Sequence, residues 1–134
     1  MTSPLFQKID CVRLPVKDLE AALQFYCDRL GHRLLWRTPN AVGLVLPHSE
    51  AEIVLHNEAG TEEIDLLVES ADAAAQQFAA AGGKVVVPPF DIQIGRCVVV
   101  QDPWGNELVL LDMSKGALIT DADGNVTGNA LVSE

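Results

Sequence analysis

Basic residues are scarce in this chain: nine Lys and Arg stand against nineteen Asp and Glu in 134 residues, a formal net charge of −10. That charge opposes binding to nucleic acid or to an anionic membrane, and favours cationic ligands wherever it enters a pocket. Aromatic residues make up only 5% of the chain, so the position of each of the two Trp matters. The three cysteines, Cys11, Cys27 and Cys97, show no CxxC spacing, which fits a reducing compartment. Cys27 and Cys97 read as small buried apolar residues. No apolar run approaches the roughly 20 residues that cross a bilayer. The start, Met1-Thr2-Ser3-Pro4, has neither the basic nor the apolar region of a secretion signal. The expectation is a soluble, cytoplasmic protein. A phosphate-binding Gly-rich loop, a Gly-x-Ser-x-Gly elbow and an HExxH helix are all missing. Ala81-Gly82-Gly83-Lys84 ends a helix, whereas a phosphate cradle must precede one.

What is present is one segment written twice. Leu14-Pro15-Val16, Ala21-Ala22, Gln24, Tyr26, Gly31 and Leu34 recur as Leu66-Leu67-Val68, Ala73-Ala74, Gln76, Phe78, Gly83 and Val86. Each copy runs from a short apolar strand through a helix-start cluster into an Ala-rich amphipathic helix, then through a Gly into a second strand. Two copies are too few for a stacked solenoid, so they pair as halves of one small domain.

The coarse map reads β-α-β-β-β twice. Ile9 to Val16 alternates as a strand. Asp18 caps a helix ending near Leu30, with Leu19, Leu23, Tyr26 and Leu30 on one face and Gly31 as its left-handed stop. Strands follow over Arg33 to Arg37, Ala41 to Leu46 and Glu52 to Asn57. In the second copy a strand from Glu63 to Glu69 leads to a helix from Asp72 to Ala81 that Gly83 stops. Strands near Lys84 to Val87, Gly95 to Gln101 and Asn106 to Asp112 complete it. Asp102-Pro103-Trp104-Gly105-Asn106 is a turn at nearly every position.

The motifs Leu14-Pro15-Val16-Lys17-Asp18-Leu19-Glu20, Phe25-Tyr26 with Leu30-Gly31, and Asp102-Pro103-Trp104-Gly105-Asn106-Glu107-Leu108 make the chain resemble the vicinal oxygen chelate family. That family holds glyoxalase I, methylmalonyl-CoA epimerase, extradiol dioxygenases and the bleomycin- and fosfomycin-resistance proteins. The resemblance implies an α+β fold of two βαβββ modules, each curled into a half-barrel cup, within a single domain over residues 8–113. Module 1 spans about 8–57 and module 2 about 62–113. It also implies pairing into a homodimer. Activity is not implied, because the family holds lyases, epimerases, oxygenases and proteins that only bind.

Catalytic members hold a divalent metal such as Zn, Ni, Fe or Mn with four cup-facing His, Gln or Glu side chains. The resemblance carries those positions onto Cys11, Val54, Glu63 and Val109. Valine has no lone pair, and a thiolate opposite a carboxylate is a poor set for such metals. Residues two apart in a strand share a face, so Arg13, Glu52, His56, Asp65 and Glu107 also point into the cups. A shifted site of Cys11, His56, Glu63 and Glu107 would require moving two ligands by about 6–7 Å along their strands. Trp36, Phe90, Arg96 and Trp104 could line the mouth, although core or dimer contacts are the favoured reading of the two Trp residues. Cys11 with His56 as nucleophile and base lacks an orienting group, and a metal-free acid–base role for Glu63 or Glu107 stays open.

Residues 114–134 form a tail in which Leu118 to Thr120 and Val126 to Gly128 read as a hairpin turned by Asp123-Gly124. Asp121, Asp123 and Asn125 match the start of an EF-hand loop, but Gly124 comes too early and no Glu closes it. The preferred function is metal-independent binding of a small molecule, cationic ligands being favoured, as in the antibiotic-resistance members. The alternative is a glyoxalase-like lyase, isomerase or dioxygenase with a degenerate or shifted metal site. Whether the chain is an enzyme stays open.

Overall fold

The computed structural model describes residues 3–130. The strands are β1 (Lys8–Pro15), β2 (Arg33–Arg37), β3 (Ala41–Leu46), β4 (Ser49–His56), β5 (Glu63–Leu67), β6 (Lys84–Ile92), β7 (Gly95–Gln101) and β8 (Glu107–Leu111), with a terminal pair β9 (Leu118–Thr120) and β10 (Val126–Asn129). The helices are α1 (Leu19–Leu23), continued by a π-helical turn over Gln24–Arg29, and α2 (Ala71–Ala80). This is the βαβββ plan twice, with a hairpin after it. The described residues divide into two units: Asp10–Glu63 with Ile119–Gly128, and Ile64–Leu118 with 3–9 and 129–130.

In the first unit the strands run β2-β3-β4-β1, antiparallel except for the parallel β4-β1 pair; in the second, β6-β7-β8-β5 repeats that order, with β8-β5 parallel. Even the register is duplicated. Arg13 pairs with Val54 in one copy, and Asp65, fifty-two residues after Arg13, pairs with Val109 in the other.

Alternation then separates the faces. In the first unit Val42, Leu44 and Leu55 pack with Ala22 of α1 and with Leu14, Leu23 and Tyr26, while Cys11, Ala41 and Val54 form a separate cluster with Trp36 on the other face. In the second unit Val98, Val100 and Leu110 pack against Ala71, Ala74 and Ala75 of α2, whose small side chains let the helix lie close. Ser70 caps α2 by accepting from the Ala73 N–H at 3.2 Å, and buried Asp112 accepts from the Ala71 N–H at 2.9 Å.

Three local expectations are corrected. The first helix is not regular to Leu30: after Leu23 it widens into i→i+5 bonding, with the Leu30 N–H on the Phe25 carbonyl at 3.1 Å. The wider turn swings Tyr26 and Cys27 onto the core and leaves Leu30 54% exposed. Gly31 does take the left-handed conformation (φ +84°), but after α2 it is Gly82 (φ +112°) and not Gly83 that does so. Gly83 is needed because a Cβ there would run into the Phe78 ring. Finally, β6 continues through Pro88-Pro89 to Ile92. Within its unit it pairs only with β7, so proline on its other side removes no ladder bond, and register shifts absorb the irregularity.

The tail forms the expected hairpin. Asp121 accepts from the backbone N–H groups of Asp123 and Asn125, each at 2.9 Å, and Gly124 supplies the positive φ (+86°). Asp102 and Gly105 build the β7-β8 turn in the same way. The Gly124 carbonyl accepts from the Arg37 N–H at 2.7 Å, so the hairpin lies along β2. Among the described residues no helix is long and apolar enough to cross a membrane.

Candidate functional site

The helix-free face of the first unit gathers the largest set of the residues singled out in the sequence: Cys11, Arg13, Trp36, Glu52, His56 and Glu63. Its floor is apolar. Cys11 (4% exposed) and Val54 (2%) are buried beside Ala41. A register shift between Leu34 and Trp36 reverses the alternation of β2, so that Leu34 faces α1 whereas Trp36 faces the opposite way. The indole then crosses β3. A Cβ on Gly43 would collide with the five-membered ring of Trp36, so only glycine lets the indole lie across that strand.

On the far side of β3 the indole reaches Glu52. Trp36 Nε1 donates to Glu52 Oε1 at 2.6 Å. Burial pushes the Glu52 carboxyl above the usual carboxylate range; the Trp36 bond opposes that and the charge of Asp10 adds to it. Nearby, Arg13 Nε lies 3.5 Å from Glu63 and Arg13 Nη2 3.6 Å from Glu58. Arg13 and Glu63 were both expected on the cup side from the sequence; Glu58 was not.

His56 is buried (4% exposed), at the other end of β4. Its Nδ1 accepts from the Glu58 N–H at 3.2 Å, so the neutral ring carries its proton on Nε2. Cys11 pairs with Glu52 and His56 with Pro15, four residues further along, which puts the two backbones about 13 Å apart. A Cys11–His56 nucleophile–base pair and the shifted ligand set are therefore not assembled.

In the second unit the face opposite α2 is apolar around one acid. Asp65 is buried (6% exposed) and pairs with Val109, with Val99 beyond it. Cys97 is buried on this face, and Phe90, its partner on β6, is 39% exposed. Glu107 is exposed at the start of β8, opposite Gln101. Arg96 points the other way: its guanidinium is held by Asp72 of α2 at 2.8 Å and by Asp91 at 3.3 Å. Trp104 is 83% exposed at the tip of the β7-β8 turn.

A metal does not fit the four positions that the family resemblance assigns. Val54 is sealed in an apolar cluster and Val109 offers no lone pair, while Glu63 is engaged by Arg13. Among the described residues no group of three or more His, Cys, Asp or Glu side chains could hold a metal ion. A recess of about 530 Å³ that the sequence did not suggest opens at the start of α1, lined by Lys17, Asp18, Glu20, Arg37, Asn57 and Asn125 among others. Its charges are largely used internally, Arg37 on Glu20 at 2.9 Å and Asp18 on the Ala21 N–H. Only the hairpin's docking, invisible in sequence, brings Asn125 there.

A family model described as Glyoxalase/Bleomycin resistance protein/Dioxygenase superfamily matches residues 8–110. A probable lactoylglutathione lyase from Synechocystis sp. is 33% identical over 118 residues, 74% of this chain and 90% of that protein. Among solved structures, methylmalonyl-CoA epimerase from Mycobacterium tuberculosis superposes with a TM-score of 0.71 at 20% identity, covering 84% of this chain and 91% of that one. Homoprotocatechuate 2,3-dioxygenase from Brevibacterium fuscum gives 0.63 at 20% identity, over 82% of this chain and 37% of that one. At such identities the structural likeness establishes the fold. The named relatives are a lyase, an epimerase and a dioxygenase.

Proposed function

Since the chain belongs to the Glyoxalase/Bleomycin resistance protein/Dioxygenase superfamily, whose shared fold serves several chemistries, we propose from its own side chains that it binds a small molecule without a metal. The observation that carries this reading is Val54. At 2% exposure, packed with Cys11, Ala41 and Trp36, it fills with hydrocarbon a position where the family resemblance expects a ligand atom. What the face offers instead is an indole, a carboxylate and an arginine, the ordinary means of holding an organic molecule.

Thermal-shift measurements with Ni, Zn, Mn and Fe salts test it. No appreciable rise in melting temperature is expected. A rise that disappears in Glu63→Gln would overturn the reading.

A second reading, a metal-free lyase or isomerase, is favoured by one observation beside the lyase relative. Glu52, held above the usual carboxylate range, is suited to exchange protons nearer neutral pH than an exposed carboxyl would. We also infer that the chain forms a homodimer. Val86, Val87 and Phe90, each 39–41% exposed on β6, an outer strand of its unit, are the kind of apolar edge that a second chain covers.

A further inference from the structure

Trp36, Gly43 and Glu52 come from three adjacent strands, and each is explained by the other two. The indole lies over Gly43 because no side chain stands there, and it reaches Glu52 because Gly43 lets it pass. The ring packs against Cys11, Ala41 and Val54, and the residue as a whole is only partly buried. Glu52 is underused. An ionised carboxylate accepts about four hydrogen bonds, yet among the described residues its only hydrogen-bond partner is Trp36 Nε1. An indole N–H can only donate, so the pair cannot satisfy itself by sharing a proton. The arrangement is an aromatic surface beside a partly buried acid whose second oxygen reaches solvent.

Building on the metal-independent reading, we propose that this pair is a recognition element for an organic cation bearing N–H groups, a protonated amine or amidine, which stacks on the indole and donates to Glu52. The surrounding charge agrees. On β1 lie Asp10, Cys11 and Arg13, and Arg13 is outnumbered by Glu58 and Glu63. Glu50 and His56 lie on β4 and Arg33 on β2, while β3 contributes only Ala41, Gly43 and Val45 to this face. A ligand that covers Glu52 without donating to it strips water from a carboxylate and puts nothing in its place, and a neutral donor replaces that water without the charge, so a donating cation is favoured over both.

The test uses the full chain carrying Trp104→Phe, so that Trp36 is the remaining tryptophan and its emission reports this face. Benzylammonium chloride, benzyl alcohol and sodium benzoate are titrated in turn. Saturable quenching by benzylammonium is expected, with benzyl alcohol weaker by about tenfold and benzoate inert. Glu52→Gln, whose amide oxygen still accepts from Trp36, should keep the melting temperature and the emission maximum but lose the preference for the cation. With Glu52 intact, affinity should fall as pH is lowered, and should begin to do so at a higher pH than an exposed carboxyl would allow, because protonation removes the acceptor charge. Equal affinity for amine and alcohol, an unchanged preference in Glu52→Gln, or no saturable response at millimolar benzylammonium would overturn the proposal. The metal titration is read separately. If metals do not stabilise the protein and the amine does not bind, the recognition element fails and the metal-independent reading stands.

Discussion

Trp36 Nε1 sits 2.6 Å from Glu52 Oε1, and the indole that makes this bond crosses the β3 backbone at Gly43 to reach it. The first prediction concerns that crossing. Gly43→Ala would drive a methyl group into the ring and should cost about 1–3 kcal/mol, as overpacked sites do. In a Trp36→Ala background the same change should be nearly neutral. Urea unfolding of the four proteins in this double-mutant cycle measures the coupling; additive effects would show that the ring does not lie there.

Asp112 governs the second. Burial alone would raise its carboxyl, but donation from the Ala71 N–H, the Ser114 hydroxyl and the Arg96 and Ser114 N–H groups outweighs that and holds it below the usual carboxylate range. A depressed folded-state pKa adds stability that is fully present above the unfolded value near 3.9 and is lost as pH falls through the folded value. Asp112→Ala, which strands these donors, should cost about 2–3 kcal/mol at neutral pH. Asp112→Asn should flatten the fall in stability below about pH 4 relative to the unmodified chain. Chemical denaturation across that range checks both.

The glycines after the two helices should respond to substitution for different reasons. Gly31 and Gly82 have open space around the missing Cβ but positive φ, so Asn should be tolerated better than Val. Gly83 lies against Phe78, so Gly83→Val should be rescued in part by Phe78→Ala, whereas Gly31→Val has no such partner. Melting temperatures of these variants separate strain from collision.

Much of this architecture was legible because it is written twice. The fifty-two-residue spacing that aligns Val16 with Val68 also places Arg13 and Asp65 at equivalent register positions, and the family resemblance implied that Val54 and Val109 face the cups. What escaped were departures from periodicity. The register shift near Leu35 sends Trp36 across β3, and the widening after Leu23 moves Leu30 outward. Neither has a composition of its own. Arg96 could have been placed correctly, since it neighbours Cys97 in a strand and must face the other way. His56, at the end of β4, is buried, and its Nδ1 accepts from the Glu58 N–H, a bond with no signature in the sequence. Asp112 escaped because two of its donors are the backbone N–H groups of Ala71 and Arg96, which are distant in sequence and leave no side-chain signature; only Ser114 is a neighbour with a donating side chain.

The inferred homodimer is checked by light scattering at micromolar concentration, where twice the 14.4 kDa chain mass is expected. A monomer mass would leave β6 uncovered and count against it.

The central claim is that this member of the superfamily works without a metal, and elemental analysis of protein purified with neither added metal nor chelator tests it most directly. The account predicts Ni, Zn, Fe and Mn each far below one equivalent per chain. Any one of them near stoichiometric would contradict it.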